Sequence, residues 1–330
     1  MCVRLLLIDM ENRLKISVAI CTYNGAKYIE EQLRSILNQT VPVDEVCVGD
    51  DNSSDDTIKI IERIKEDTGK DIRININNPN IGCNANFDKT INQCTGDIIF
   101  FSDQDDTWMP NKVETVVRYF ENHPDKDVVF TDAEFMDEQG KEFTDRRMFD
   151  ALSMKPSTIE QFCKSGLAME IFLVHNRAYG CTMAMRRSFV GQYNIKDAQA
   201  SNSADAFYDH IIALAAVCRN KLGVIPKPLI RYRLHKNQSV GIGGWLAKPP
   251  QTSDAYTVAH TMKFVRFVPD SLKERAIMVT DRYFYKKSTL YNNLLRYFYR
   301  YIKIYGLTLG IKVWYHDCIN AIYRRGSFEW

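Results

Sequence analysis

Three stretches constrain this chain most: "KISVAICTYN", "VDEVCVGDDNSS" and "DIIFFSDQDD". Each is a short apolar, β-branched or aromatic run that stops at a polar turn, the pattern of a buried strand. Helical spacing fills the gaps between them. "GAKYIEEQLRSILNQT" puts Tyr28, Leu33, Ile36 and Leu37 on one stripe. "SDDTIKIIERIKEDTG" offers Ser54 or Asp55 as an N-cap and has Gly69 beyond its end. "IRININ" reads as a further strand and "IGCNANFDKTINQCTG" as a third helix. Alternating strands and helices with short loops predict a parallel sheet covered by helices. Ligands of such sheets bind beyond the carboxyl ends of the strands. The polar ends "CTYN", "GDDNSS" and "SDQDD" therefore share one edge, and acidic clusters at two of them point to one shared site.

The later chain is expected to add a strand and turn in "VVFTDAEFMDEQGK" and a strand leading into a helix in "RAYGCTMAMRRSFV". "ADAFYDHIIALAAVCRNKLG" reads as a strong helix with Asp209 in its first turn and Gly223 at its end. "VIPKPLIRYRLHKNQS" reads as a strand pair or extended segment that closes on basic residues and His235. At "KPPQTSD" the character changes. Residues 246–330 hold 14 Lys and Arg against 6 Asp and Glu, a net of +8. The whole chain is +2, so residues 1–245 sum to −6. These shifts divide the chain into an N-terminal extension (1–14), a main α/β unit (15–245) and a basic, aromatic-rich helical region (246–330).

Bulk properties exclude several classes. With 45% hydrophobic and 25% charged residues the chain is an ordinary globular one. The nine cysteines form no CxxC pair, so neither a zinc site nor a disulfide framework is expected, and a reducing compartment is. The first residues lack a signal-peptide cleavage site, and no apolar run reaches membrane-spanning length. The acidic first 245 residues argue against nucleic acid as a partner.

Asp103, Asp105 and Asp106 repel one another directly after a buried strand. A solvated turn accounts poorly for carboxylates at a binding edge. A calcium loop is excluded, because Trp108 stands where the loop needs glycine and Pro110 follows. A divalent-metal site remains, in which carboxylates hold Mg2+ or Mn2+ and substrate phosphates complete the shell.

"ISVAICTYNGAKYIEEQLRSILNQT", "VGDDNSSDDT" and "SDQDDTWMPNKVE", with the later "YDH" and "RYRLH", resemble family 2 glycosyltransferases of the GT-A fold over roughly residues 15–240. Within that family the chain looks most like rhamnosyltransferase-like enzymes of bacterial polysaccharide assembly. The resemblance implies an α/β GT-A fold with a mostly parallel central sheet and a C-terminal helical extension. It implies that Thr22, Tyr23 and Asn24 lie at the nucleotide base. Asp50 or Asp51 either accepts from the base or supports the site from behind, and Asp55 and Asp56 cap a helix. Asn80, Gly82 and Asn86 resemble a segment near the diphosphate, and a helix-entry turn explains them equally. Asp103 would bind sugar or ribose hydroxyls, Asp105 and Asp106 the metal, and His235 the metal or diphosphate. Arg231 and Arg233 suit phosphate. Trp108 and Pro110 would start the next helix. Asp209 matches the catalytic base, with Asp205 as a rival, and Tyr208 stands where many members have Glu.

The expected activity is inverting transfer of a sugar from a UDP- or dTDP-sugar donor, with Mn2+ or Mg2+. The acceptor would be a saccharide or lipid-linked oligosaccharide, for capsule or O-antigen synthesis. The alternatives are a sugar nucleotidyltransferase and a non-catalytic nucleotide-sugar-binding assembly protein. The C-terminal region would either pack on the core or contact an anionic membrane, placing the protein in the cytoplasm or at the cytoplasmic face of the inner membrane.

Overall fold

The structure is a computed structural model and describes residues 13–142, 145–152, 154, 161, 168–174, 176–195, 207–236, 238, 264, 265 and 267–284. Eight strands form one sheet: β1 Ile16–Thr22, β2 Glu45–Asp50, β3 Ile72–Ile76, β4 Ile98–Ser102, β5 Thr107–Trp108, β6 Val128–Met136, β7 Met183–Arg186 and β8 Leu222–Arg233. Their spatial order is β3-β2-β1-β4-β7-β6-β8-β5. The first four strands pair in parallel, as do β6 and β8, whereas β7 and β5 run antiparallel to their neighbours. This is the expected mostly parallel α/β sheet. Val18, Ile20 and Ile98–Phe101 are fully buried, and each such side chain contributes about 1.5–3 kcal/mol by leaving water.

Helices α1 (Ile29–Leu37), α2 (Thr57–Thr68), α3 (Cys83–Gln93) and α4 (Lys112–Asn122) cover the sheet. Each buries one face: Leu33 and Ile36 in α1, Ile61 and Ile64 in α2, Phe87 and Ile91 in α3, Val116 and Phe120 in α4. Gly69 ends α2 in the left-handed region, at φ 62°. Gly49 lets α3 approach β2. A Cβ there would fall on the Thr90 hydroxyl and lie 2.5 Å from Asn86 Oδ1. Gly49→Ala is therefore expected to cost about 1–3 kcal/mol by overpacking, read as a lower urea midpoint; an unchanged midpoint would contradict this packing.

Shorter helices α5 (Met148–Ala151) and α6 (Ala168–Val174) follow β6, and α7 (Tyr208–Cys218) precedes β8. Residues 208–216 of α7 are all buried, because the helix is covered by α6 as well as by the sheet.

Three expectations change. After β7 the chain makes a 3-10 turn, Arg187–Phe189, and no α-helix forms there. Helix α7 stops at Cys218, with Asn220 taking the left-handed φ of 56°; Gly223 lies in β8, where a Cβ would strike Tyr119. Trp108 belongs to β5, and α4 starts only at Lys112, after Pro110. "VIPKPLIRYR" forms one continuous strand, the extended alternative of the two expected. Pro226 and Pro228 have no N–H to give, and the ladder to β6 slips around Asp132, opposite Pro228.

Phe264, Val268 and Ala276 are buried in the common core, with the last in helix α8 (Asp270–Phe284). The Phe264 ring lies 3.8 Å, centroid to centroid, from that of His210. These residues of the basic region therefore pack on the sheet-bearing part of the chain. Residues 1–12 and 285–330, and with them most of the expected extensions, lie outside the described residues. No helix among the described residues is long and apolar enough to cross a membrane.

Candidate active site

Strand register assembles the site. Thr22 is level with Asp50, and Ile20 with Ser102, so the three polar ends emerge side by side. Asp50 is fully buried. Its carboxylate accepts from the Thr22 hydroxyl at 2.7 Å, the Ser53 N–H at 2.8 Å and the Ser53 hydroxyl at 2.6 Å. Asp51 accepts from Asn77 at 3.1 Å and from the N–H groups of Ile81 and Gly82, both at 2.8 Å. Both aspartates thus brace loops: Asp50 the turn after β2, and Asp51 the turn that leads into α3. Asn80 completes that turn by donating to the Asp51 carbonyl at 2.9 Å. Asn86 is buried and donates to the Gly49 carbonyl at 2.7 Å. Asn80, Gly82 and Asn86 therefore build a helix entry.

Tyr23 has its side chain about half exposed at this edge. Its backbone is clamped by a residue that spacing alone does not reveal. The Gln104 side chain accepts from Tyr23 N–H at 2.8 Å and donates to the Tyr23 carbonyl at 3.1 Å. Gly25 makes room for it, since a Cβ there would lie 2.6 Å from Gln104 Cδ. Asn24 takes a left-handed φ of 47° and accepts from Ser54 N–H at 2.8 Å. Asp55 accepts from Ala26 N–H and Thr57 N–H, each at 3.0 Å, tying the first two loops together. Asp56 holds the N-cap position of α2 without a side-chain cap bond.

The acidic loop splits into two directions. Asp105 Oδ2 meets His235 Nε2 at 2.8 Å, and the Tyr28 ring lies beside the imidazole, 4.8 Å between centroids. Asp106 instead turns inward and is 1% exposed. Its Oδ1 accepts from Arg233 N–H at 3.0 Å, and its Oδ2 has no hydrogen-bond partner. Asp103, Asp106 and Cys181 bring their ligating atoms within 4.8 Å of one another. Burial, then Asp105 and Asp209, push the Asp103 carboxyl up to about 7. Burial, then Asp105 and Asp103, hold Asp106 well above the carboxylate range.

Behind these carboxylates stands Lys112, fully buried. It donates to the Cys181 carbonyl at 2.8 Å, with its ammonium 4.1 Å from the centre of the Trp108 ring. Burial pushes its pKa down to about 7, against the opposing pull of Asp106 and Asp103. Carboxyls crowded at one edge until burial and mutual repulsion oppose their ionisation favour a nearby divalent cation, which would offset that repulsion. The donor types fit too: Asp105 and His235 present oxygen and imidazole nitrogen, which Mn2+ accepts. Burial raises the Cys181 thiol far above neutrality, so it supplies no thiolate.

Arg233 departs from its expected phosphate contact. Its side chain is 2% exposed. It donates to the Asp105 carbonyl at 2.7 Å, the Glu138 carbonyl at 3.2 Å and Glu31 Oε2 at 2.6 Å, under the Tyr28 ring at 4.9 Å. Beyond the slip at the prolines, β8 turns this side chain into the protein, where it holds the acidic loop to α1. Arg231 is half exposed and pairs with Glu134 at 3.7 Å.

Asp209 lies in the first turn of α7 and is 8% exposed. It accepts from Gly180 N–H at 3.0 Å and His210 N–H at 2.7 Å, with Asn176 as a third donor. Burial outweighs these bonds and raises its pKa to about 6. Asp205 lies outside the described residues.

Residues 17–193 match Glycosyl transferase family 2. An uncharacterised glycosyltransferase of Haemophilus influenzae is 26% identical over 241 residues, 71% of this chain and 69% of that protein. Other curated relatives are matched over about a third to a half of their own length. The fold is similar to that of S. aureus TarS 1–349 in complex with UDP-GlcNAc, at a TM-score of 0.51 and 16% identity, over 96% of this chain and 93% of that one. It is also similar to the mannosyltransferase PcManGT from Pyrobaculum calidifontis in complex with GDP-Man and Mn2+, at 0.52 and 17%, over 95% and 88%. These likenesses give the fold as GT-A, and a family match over more than half of the chain places this protein in glycosyl transferase family 2.

Proposed function

We propose that this chain is an inverting, metal-dependent glycosyltransferase. It moves a sugar from a nucleoside diphosphate to a hydroxyl of a saccharide or lipid-linked saccharide acceptor during assembly of a bacterial surface polysaccharide. The observation that carries the reading is the joining of two chemistries at one sheet edge: the Asp105–His235 pair with Asp103, and the enclosed carboxylate of Asp209. Inversion needs one base on the face opposite the leaving group, and a carboxyl whose pKa is near 6 is ionised at neutral pH yet still basic enough to take a proton. Asp209 accepts the acceptor hydroxyl's proton while Gly180, His210 and Asn176 hold it in place. When bound, Mn2+ or Mg2+ neutralises charge on the leaving diphosphate, and Asp105 and His235 would hold it, with Asp103 facing the donor.

Support for a nucleotide-sugar donor comes from family membership and from the two solved structures, both of which hold nucleotide sugars, one of them with Mn2+. The motif wording favours a UDP- or dTDP-sugar and a rhamnosyltransferase-like member. The basic, aromatic composition of residues 246–330 favours an acceptor at the cytoplasmic face of a membrane.

A thermal-shift screen of UDP-, GDP- and dTDP-sugars with and without Mn2+ tests the donor site. A metal-dependent rise with one nucleotide is expected; no rise with any of them would defeat the reading. Gln104→Ala frees the Tyr23 backbone, and the affinity for the preferred nucleoside diphosphate is expected to fall about tenfold. Unchanged affinity would remove Tyr23 from the base.

A further inference from the structure

Tyr208 opens helix α7 immediately before Asp209, and it is 4% exposed. Its place is built from four sides. Its ring stacks on Phe87 at 3.8 Å and meets Phe101 edge-on at 5.9 Å. Its N–H donates to Asn84 Oδ1 at 2.8 Å. The fourth side is Gly180, where a Cβ would fall on the Tyr208 hydroxyl and lie 2.6 Å from Cζ. Gly180 is also the residue whose N–H holds Asp209. The phenol therefore reaches the wall beside the Asp209 carboxylate, and only glycine at 180 leaves room for it.

This anchored phenol makes no hydrogen bond through its hydroxyl to any described residue, although every other side of the ring is fixed. A phenol held this firmly offers its hydroxyl, as donor and acceptor, to a ligand at little further entropic cost. The carboxylates acting on it are Asp103 first and Asp209 next, the donor side and the base side of the site. On the transferase reading, the sugar being transferred lies between those two groups.

We propose that Tyr208 is a specificity-determining residue whose hydroxyl hydrogen-bonds to the transferred sugar ring, with Gly180 as the matching small residue that admits it. The inference rests on the transferase reading above. It assigns the sugar, and neither the nucleotide nor the acceptor, to this hydroxyl.

The test is calorimetric titration with Mn2+ of UDP-GlcNAc, UDP-glucose, dTDP-rhamnose and GDP-mannose, each beside its bare nucleoside diphosphate. Wild type is compared with Tyr208→Phe, which keeps the ring stack. For the donor that wild type binds, the variant is expected to bind the sugar nucleotide about two- to tenfold more weakly, the worth of one neutral hydrogen bond. Affinity for the nucleoside diphosphate stays at the wild-type value. Equal loss for both ligands, or no loss for either, overturns the assignment. Gly180→Ala displaces the phenol without removing its hydroxyl and is expected to give the same sugar-selective loss. Wild type that binds none of the seven ligands defeats the transferase reading itself, a result distinct from failure of Tyr208 alone.

Discussion

Replacing Asp209 by Asn is expected to lower turnover about 10²–10⁴-fold, the usual contribution of a positioned general base, while donor affinity stays near that of wild type. Asn keeps the size and shape of the side chain and an oxygen for one of the Gly180 and His210 N–H groups, which now bond to separate carboxylate oxygens at 3.0 and 2.7 Å. The site therefore stays shaped but cannot take a proton. The pH profile carries the same signature. A base works when ionised, and burial lifts this carboxyl to about 6. In the wild type, kcat/KM should climb with pH through about 6 and then level off. In Asp209→Asn that limb should vanish from the residual rate. A wild-type acid limb near the ordinary carboxylate value, or near-normal turnover in the variant, would remove Asp209 from the role. Asp205→Asn serves as the contrast and should retain turnover.

Asp105→Asn and His235→Ala are each expected to abolish the Mn2+-dependent part of donor binding and to cut transfer about 10²–10³-fold. That is the rate equivalent of losing several kcal/mol of charge stabilisation at the leaving diphosphate. The pair lies within 2.8 Å, so the double variant should lose little more than either single one. Asp106 behaves differently in this structure. Its carboxylate is buried and bonded to the backbone of Arg233, so Asp106→Asn should change thermal stability more than Mn2+ affinity. Calorimetric titration of Mn2+ in the presence of the nucleoside diphosphate separates the three. A larger loss of metal affinity in Asp106→Asn than in Asp105→Asn would invert the assignment.

The sheet, its site-bearing edge and the aspartates at that edge are legible in the sequence because each rests on a local pattern. An apolar run followed by a polar turn fixes both the strand and its direction, and register then sets Thr22 beside Asp50 without further information. What escapes local reading is whatever depends on a distant partner. Gln104 sits between two aspartates and looks like spacing, yet it folds back over Gly25 to clamp Tyr23, eighty-one residues away. Lys112 looks like the exposed start of a helix and instead lies fully buried beneath the acidic loop. Asn176 belongs to a stretch without periodicity, and only the fold brings it to Asp209. Arg233 shows the converse error. Arginine suits phosphate, but the slip of β8 opposite its prolines aims this one at Glu31 and the loop carbonyls. Paired motifs give the chemistry of an edge, and the packing between them decides which charges face the substrate.

Release of nucleoside diphosphate from the screened nucleotide sugars, followed with purified wild-type protein in Mn2+ and again in EDTA, tests the central claim most directly. The account predicts release from one donor class in Mn2+, its loss in EDTA and its recovery when Mn2+ is restored. No release from any UDP-, GDP- or dTDP-sugar in Mn2+ or Mg2+, with or without a saccharide acceptor, would contradict it.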